Sequence, residues 1–412
     1  MTSQEESAVS IFDINLGTRA IALLMILFAA TVISVPAAQA QTFAVLHTFT
    51  GYGDGGEPIA GLTMDRAGNL YGTTSQGGAA GNGTVFKLVH ARSGWVLYTL
   101  HAFQGGQDGA TPQARVLFGP DGTLYGTTSY GGAGSGTVFN LRPPATSCRS
   151  AQCPWTETVL YRFTGGSDGG EPGFGELAFD PAGNIYGTTS YGGMGCHAYG
   201  GCGVVFELSP SGEGWTESVL YRFTGGSDGF SPYSGVTFDK AGNLYGTTVL
   251  GGGGEGGVLY QLIPSASGWT ETTLHSFGTS GDGYSPYGGL IIDQQGNLYG
   301  TTFGNGVVYE LQSFGSNWTY NILYVLGGQG PYDAPTMDAS GNLYGTTFGD
   351  GSSGLGNVFK LTPGAGGWTY TDLHGFRGSD GVEPVGGVVL DANGNIYGTT
   401  FYAAGEVWEI TP

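Results

Sequence analysis

The chain has 412 residues, including 82 Gly, 18 Pro, 24 Tyr, 22 Phe and 7 Trp. About a quarter Gly plus Pro borders on low-complexity composition, yet 13% aromatic and 40% apolar residues exclude a disordered polymer, which has too little apolar surface to offset chain entropy. Twelve basic against 32 acidic residues, a formal net charge of −20, argue against nucleic acid and anionic membrane as partners, because both need clustered Lys and Arg.

At the N-terminus, residues 20–35 (AIALLMILFAATVISV) form an apolar run between Arg19 and Pro36, followed by Ala38-Gln39-Ala40. The run is short for a membrane span, and small residues flanking one position match a signal-peptidase site. The expectation is a signal peptide over 1–40, cleaved after Ala40, and a periplasmic or extracellular mature chain. Glu5, Glu6 and Asp13 make the leading segment less positive than usual, so an uncleaved N-terminal anchor is the alternative. No second span follows.

From residue 41 onward one unit is written seven times. Its marker, GNLYGTT at 68–74, recurs with small changes, and its tyrosines are Tyr71, Tyr125, Tyr186, Tyr245, Tyr299, Tyr344 and Tyr397. The intervals of 54, 61, 59, 54, 45 and 53 residues fill positions 41–412 and leave no room for another domain.

Each unit predicts four short strands. In the first copy an apolar stretch, Gly61–Met64, ends in Asp65-Arg66-Ala67-Gly68-Asn69. There the Asp can accept from backbone N–H groups ahead of it, and Gly can take a positive φ. The Asp recurs as Asp180, Asp239, Asp293, Asp338 and Asp391, with Gly119 in its place in the second copy. Strands follow at 69–74, 85–88 and 95–103. Tyr, Phe, Val and Thr alternate with Gly, and no 3.6-residue period holds.

Four-stranded units at this spacing predict an all-β, seven-bladed β-propeller with antiparallel blades. The last copy stops after its third strand, and its missing fourth matches Thr42–Phe49, which resembles Leu100–Phe103. The N-terminal strand of the mature chain is therefore expected to complete the final blade, closing the ring and removing a sheet edge.

The pattern Asp-x-x-Gly-Asn-Leu-Tyr-Gly-Thr-Thr, then a Gly-rich loop, then Gly-x-Val-Phe-x-Leu, resembles the bacterial GloVer (Gloeo-Verruco) tandem repeat over essentially the whole mature chain. The resemblance implies an exported protein of a group whose members end in different surface anchors; it implies no reaction and no catalytic residues. No sorting motif, spanning helix or basic tail accompanies Trp408–Pro412, so no C-terminal anchor is expected.

Loops after the fourth strands carry a second motif, Asp-Gly-x-x-Pro, at Asp54, Asp108, Asp168, Asp228, Asp282 and Asp380; the contracted sixth unit offers Asp333-Ala334-Pro335. With the first strand innermost, these loops ring the channel mouth, and Glu57, Glu171 and Glu383 add charge to it. Two readings stand: Asp caps its own turn, or the oxygens bind Ca²⁺, although the spacing is not that of a known Ca²⁺ loop. Otherwise no cofactor is expected.

His47, His101, His275 and His374 share one position with Tyr161, Tyr221 and Tyr324, which reads as an aromatic packing slot; only His90 and His197 fall outside it. Trp95, Trp155, Trp215, Trp269, Trp318 and Trp368 repeat in register and read as outer-rim packing, with a sugar-stacking platform as the alternative. Two Cys pairs lie in the longest units, and export predicts the local disulfides Cys148–Cys153 and Cys196–Cys202. His197 beside Cys196 leaves metal binding as a further option there.

These features favour an exported, non-enzymatic binding scaffold for a glycan, peptide or surface protein across the face that carries the Asp loops. The alternatives are a glycan-active hydrolase or lyase with mouth carboxylates such as Glu57 and Glu171 as an acid–base pair, and a purely structural spacer. Two close carboxylates of unequal environment would mark the enzyme.

Overall fold

The computed structural model describes residues 41–144, 154–196, 200–212, 214–278, 281–315 and 317–412. The expected leader over 1–40, the Cys148–Cys153 pair and His197 lie outside the described residues. Thr42–Thr411 form one unit of seven four-stranded antiparallel sheets, a seven-bladed propeller, with no helix among the described residues. The first blade runs Thr63–Met64, Leu70–Thr74, Thr84–Ala91 and Gly94–Ala102, from the axis outward, and the others repeat it.

The ring closes through the N-terminal strand. Thr42–Thr48 pairs antiparallel with Glu406–Thr411, matching Thr42 to Thr411 and Phe43 to Ile410, and so supplies the seventh blade's outer strand. Phe43 stacks on His374 of the sixth blade, with ring centroids 3.8 Å apart.

The innermost strands pair over only two residues each, Thr63–Met64 in the first blade, shorter than the four-residue apolar stretch suggested. Crowding at the axis is the reason. A Cβ at Gly235 would stand 2.2 Å from the Glu176 carbonyl oxygen of the neighbouring blade, so there the chain runs as close-packed loop before it can pair.

The hydrophobic core lies between blades. Tyr71 of the first blade packs with Phe103, Val116, Leu124 and Phe139 around the second, and every other cluster likewise joins two blades. The repeated Trp fill the outer end of this seam, Trp155 at 6.3 Å from Tyr71 and Trp318 at 5.8 Å from Tyr245. They are partly buried against these clusters, as rim packing requires.

Each part of the marker has a mechanical task. The Asp of the inner hairpin accepts as expected: Ala67 and Asn69 N–H groups donate to Asp65 Oδ1 at 2.9 Å. The Tyr71 hydroxyl also donates to Asp65 Oδ2 (3.0 Å), tying the hairpin to the next strand. Where Gly119 stands in place of that Asp, Asp121 takes over both bonds, from the Thr123 N–H and the Tyr125 hydroxyl.

The marker Gly faces the large ring of the third strand; a Cβ at Gly187 would fall 2.6 Å from Phe206. Gly187→Ala should therefore cost about 1–3 kcal/mol through overpacking, read by urea denaturation. Gly253→Ala, where nothing lies within 4 Å, should stay within about 0.5 kcal/mol. Equal effects at the two positions would refute the packing account.

Candidate functional site

The Asp residues of the outer loops are caps. Asp168 accepts from the Thr164 N–H at 2.9 Å, Asp228 from the Thr224 N–H at 2.8 Å, and Asp108 from the Gln104 N–H at 2.8 Å. The following Gly residues, such as Gly55 at φ 105° and Gly109 at φ 101°, take the left-handed conformation. Every such Asp also meets the aromatic slot of the strand before it. Tyr161 and Tyr221 hydroxyls donate to Asp168 and Asp228 (3.2 and 3.1 Å), and His275 and His374 lie 3.0 Å from Asp282 and Asp380. His47–Asp54 and His101–Asp108 repeat the contact at 3.3 and 3.5 Å.

Two motifs that read as separate in sequence thus form one unit. A β-bulge in each outer strand, for example between the pairs of Val205 and Phe206, turns the slot side chain toward the cap. Among the described residues no group of three or more His, Cys, Asp or Glu is arranged to hold a metal ion. Cys196 and Cys202 are bonded, with Cα atoms 5.1 Å apart.

Glu57, Glu171 and Glu383 precede the loop prolines and sit in the left-handed region, at φ 55°, 53° and 55°. Such strain is held only where the backbone is fixed on both sides. The Glu57 N–H donates to the Ala404 carbonyl and its carbonyl accepts from Ser75 N–H; Glu171 and Glu383 repeat both bonds. Their carboxylates belong to separate sites: Glu57 accepts from Gln76 Nε2 at 2.7 Å, while Ser190 and Tyr130 serve Glu171. Burial raises the Glu171 pKa and these hydrogen bonds oppose it. The structure does not draw Glu57 and Glu171 together as a pair.

What it draws together lies deeper. A central cavity of about 1120 Å³ runs down the axis, lined by the loops that enter each inner strand and by the strands themselves. Four residues before each hairpin Asp (Gly119 in the second blade), those loops carry Gly61, Arg115, Glu176, Gly235, Gly289, Ala334 and Gly387; one residue earlier they carry Ala60, Ala114, Gly175, Ser234, Gly288, Asp333 and Gly386. Five blades keep a small residue at the first position and six at the second. The three exceptions meet: Arg115 Nε is 2.9 Å from Glu176 Oε1, and an Arg115 terminal nitrogen is 3.4 Å from Asp333 Oδ2.

Arg115 starts in the second blade and reaches across the axis to the sixth. Substituted Cβ atoms at Gly61 and Gly387 would lie 2.5 and 3.2 Å from its guanidinium, so the glycines leave it room. Marker threonines hold these loops from the preceding blade, Thr73 Oγ1 donating to the Ala114 carbonyl (3.1 Å) and Thr301 Oγ1 to that of Asp333 (2.9 Å). The third blade has one residue inserted after Pro172, ahead of Glu176, and there the preceding blade's Thr127 Oγ1 has no hydrogen-bond partner within the protein.

Asp333 corrects the sequence reading of the sixth unit. The counterpart of the loop proline is Pro331, not Pro335: the Phe348 N–H bonds the Gly330 carbonyl as the Ser75 N–H bonds that of Glu57. Asp333 is therefore no remnant of the capping motif but a channel residue. Its carboxylate accepts from the Gly387 and Ala334 N–H groups at 2.7 and 2.8 Å.

The carboxyls of this cluster have unequal surroundings. Asp333 is held by two amides and a cation, with 21% of its side chain exposed; Glu176 keeps 37% exposed. Burial raises the Glu176 pKa, Arg115 pulls it down, and the Asp333 charge raises it again. Burial lowers the Arg115 pKa, but the two carboxylates outweigh it and hold the guanidinium charged.

Above the cluster, rings cover half of the mouth. Six residues before the hairpin Asp stand Phe174, Tyr233, Tyr287 and Tyr332 in four successive blades, against Val385, Ile59 and Gln113 in the other three. Neighbouring centroids are 4.7, 5.4 and 4.9 Å apart, and Phe303 and Phe348 extend the arc at 4.5 and 5.4 Å from Tyr332. Sequence reasoning missed both features because it followed what recurs. The available signal was the reverse, a charged or aromatic residue at a position that is small or aliphatic elsewhere.

Comparison with known proteins gives a family-model match over part of the chain and structural neighbours of the same fold. Residues 29–198 match the family model of the Gloeobacter/Verrucomicrobia repeat. No curated protein matches the chain. Among solved structures, virginiamycin B lyase from Staphylococcus aureus is 13% identical, with 90% of this chain and 99% of that one covered at a TM-score of 0.57. A fungal alcohol oxidase of the AA5 family, in complex with copper, is 14% identical over 90% of this chain and 76% of its own, at a TM-score of 0.54. Both are similar in fold alone.

Proposed function

We propose that this repeat protein is an exported binding propeller that takes part of a glycan into the aromatic mouth of its central channel. One observation carries the reading: the residues that depart from the repeat converge on a single concave site. A building block repeats; a ligand site on a repeat scaffold is made once. Rings present flat apolar faces to sugar C–H groups, and a few fixed polar groups at the base of an apolar cavity set orientation. The Cys196–Cys202 disulfide and the apolar N-terminal run support export. Among the described residues no helix is long and apolar enough to cross a membrane.

Titration of the purified chain against a glycan library tests the reading. Tyr287→Ala should weaken binding of any captured glycan about tenfold, in line with the cost of truncating an interface aromatic. Binding that survives loss of Tyr287 and of Tyr233 would place the ligand elsewhere. The unequal carboxyls Glu176 and Asp333 favour a second reading, a glycan-active hydrolase or lyase working from this cluster. Shortening of a bound oligosaccharide, abolished by Glu176→Gln, would select it. A site of this kind is not needed by a spacer.

A further inference from the structure

We infer that the glycan taken by this channel bears free, protonated amines: a polymer of amino sugars that are not N-acylated. The inference rests on the proposed channel site and goes further, because charge distinguishes ligands that shape does not.

Within the cavity, Arg115 is the one cationic residue among the described lining residues, and it faces two carboxyls. Asp333 is fixed by the Gly387 and Ala334 amides besides its contact with Arg115. Glu176 is the more available of the two, with 37% of its side chain open against 21% for Asp333 and 18% for Arg115. One guanidinium balances one carboxylate, so the base of the cavity presents an excess acidic group through Glu176.

The mouth adds to this. The charge of Glu171 acts on Tyr233 and that of Glu383 on Tyr332, so the field at the arc is acidic. A cation is attracted to the faces of such rings as well as to carboxylates. Beyond the cavity, a chain of net charge −20 concentrates cations and repels acidic polymers at the opening of a low-dielectric cleft. A uronic acid would meet Glu176 and Asp333 with like charge. A neutral or N-acetylated sugar would use the rings and leave the acidic excess unmatched. A sugar with an ammonium group uses both.

Calorimetric titration of the mature chain with a glucosamine tetrasaccharide and with its N-acetylated counterpart tests this. The free amine should bind at least about tenfold more tightly at low salt, a preference of about 1.4 kcal/mol, and the margin should shrink as salt screens the charges. Glu176→Gln should reduce the preference below about threefold, whereas Tyr287→Ala should weaken both ligands alike. Thermal melts of each variant separate lost binding from lost folding. Equal binding of the two tetrasaccharides, or preference for the acetylated one, overturns the amine assignment and leaves the channel reading standing. If neither these nor any library glycan binds, the channel reading falls with it.

Discussion

Arg115→Met should destabilise the propeller by about 1–3 kcal/mol at pH 8: removing one partner from a fully buried ion pair costs about 3–5 kcal/mol, and the partial exposure of Arg115, Glu176 and Asp333 lowers that. Two carboxylates lose their cation here, and they do so in a cavity where Glu176 already feels burial and the Asp333 charge. Without Arg115 the pKa of Glu176 rises further, so the folded state of the variant binds protons that the unfolded chain releases. Its stability then falls as pH rises, and the deficit should shrink on going from pH 8 to pH 5. Adding Glu176→Gln and Asp333→Asn should recover much of the loss, because residues in one network are not additive. Methionine keeps most of the volume of the Arg stem, so the test reports charge more than packing. Urea denaturation of the single and triple variants at both pH values provides the measurement. A single variant as stable as the parent at pH 8 would mean that Arg115 does not tie the blades together.

The architecture was almost wholly legible in the sequence because it is made of repetition. Seven markers, their hairpin Asp residues and a final unit lacking one strand determine blade number, strand order and closure, and Thr42–Thr48 pairs where that logic places it. The site was only half legible. The loop Asp residues announced themselves six times, and that frequency is what a turn requires. Their partnership with the His/Tyr slot depends on an outer-strand bulge, which no residue type marks. Arg115, Glu176 and Asp333 lie far apart in sequence, and only circular closure brings the second, third and sixth blades to one axis. A one-residue insertion after Pro172 and a contracted sixth unit were visible as length changes. Which acidic groups those blades bring to the axis needed coordinates.

Stability should also fall between about pH 5 and pH 8 through two carboxyls remote from the channel. Glu157 and Glu217 occupy equivalent places on the outer strands of the second and third blades, and each has a buried Oε1 without a hydrogen-bond partner within the protein. Burial, with Asp108 and Asp168 adding like charge, pushes both up to about 7 from 4.5, against the pull of Arg162 and Arg222. The folded pKa lies above the unfolded one, so the folded state holds the extra protons. The associated stability is complete below pH 4.5 and is lost as pH rises through 7. The histidines tilt the other way. Burial lowers the pKa of His101, His275 and His374 below 6.5, so they favour the folded state above that value and oppose it as pH falls. Glu157→Gln and Glu217→Gln isolate the acidic limb. Each should gain about 1–2 kcal/mol at pH 8, after discounting for partial exposure, and almost nothing at pH 5, where the parent carboxyl is already protonated. Urea midpoints across this range should show the double variant diverging upward from the parent as pH rises. Parallel curves would mean that solvent reaches these carboxyls and that burial does not set their titration.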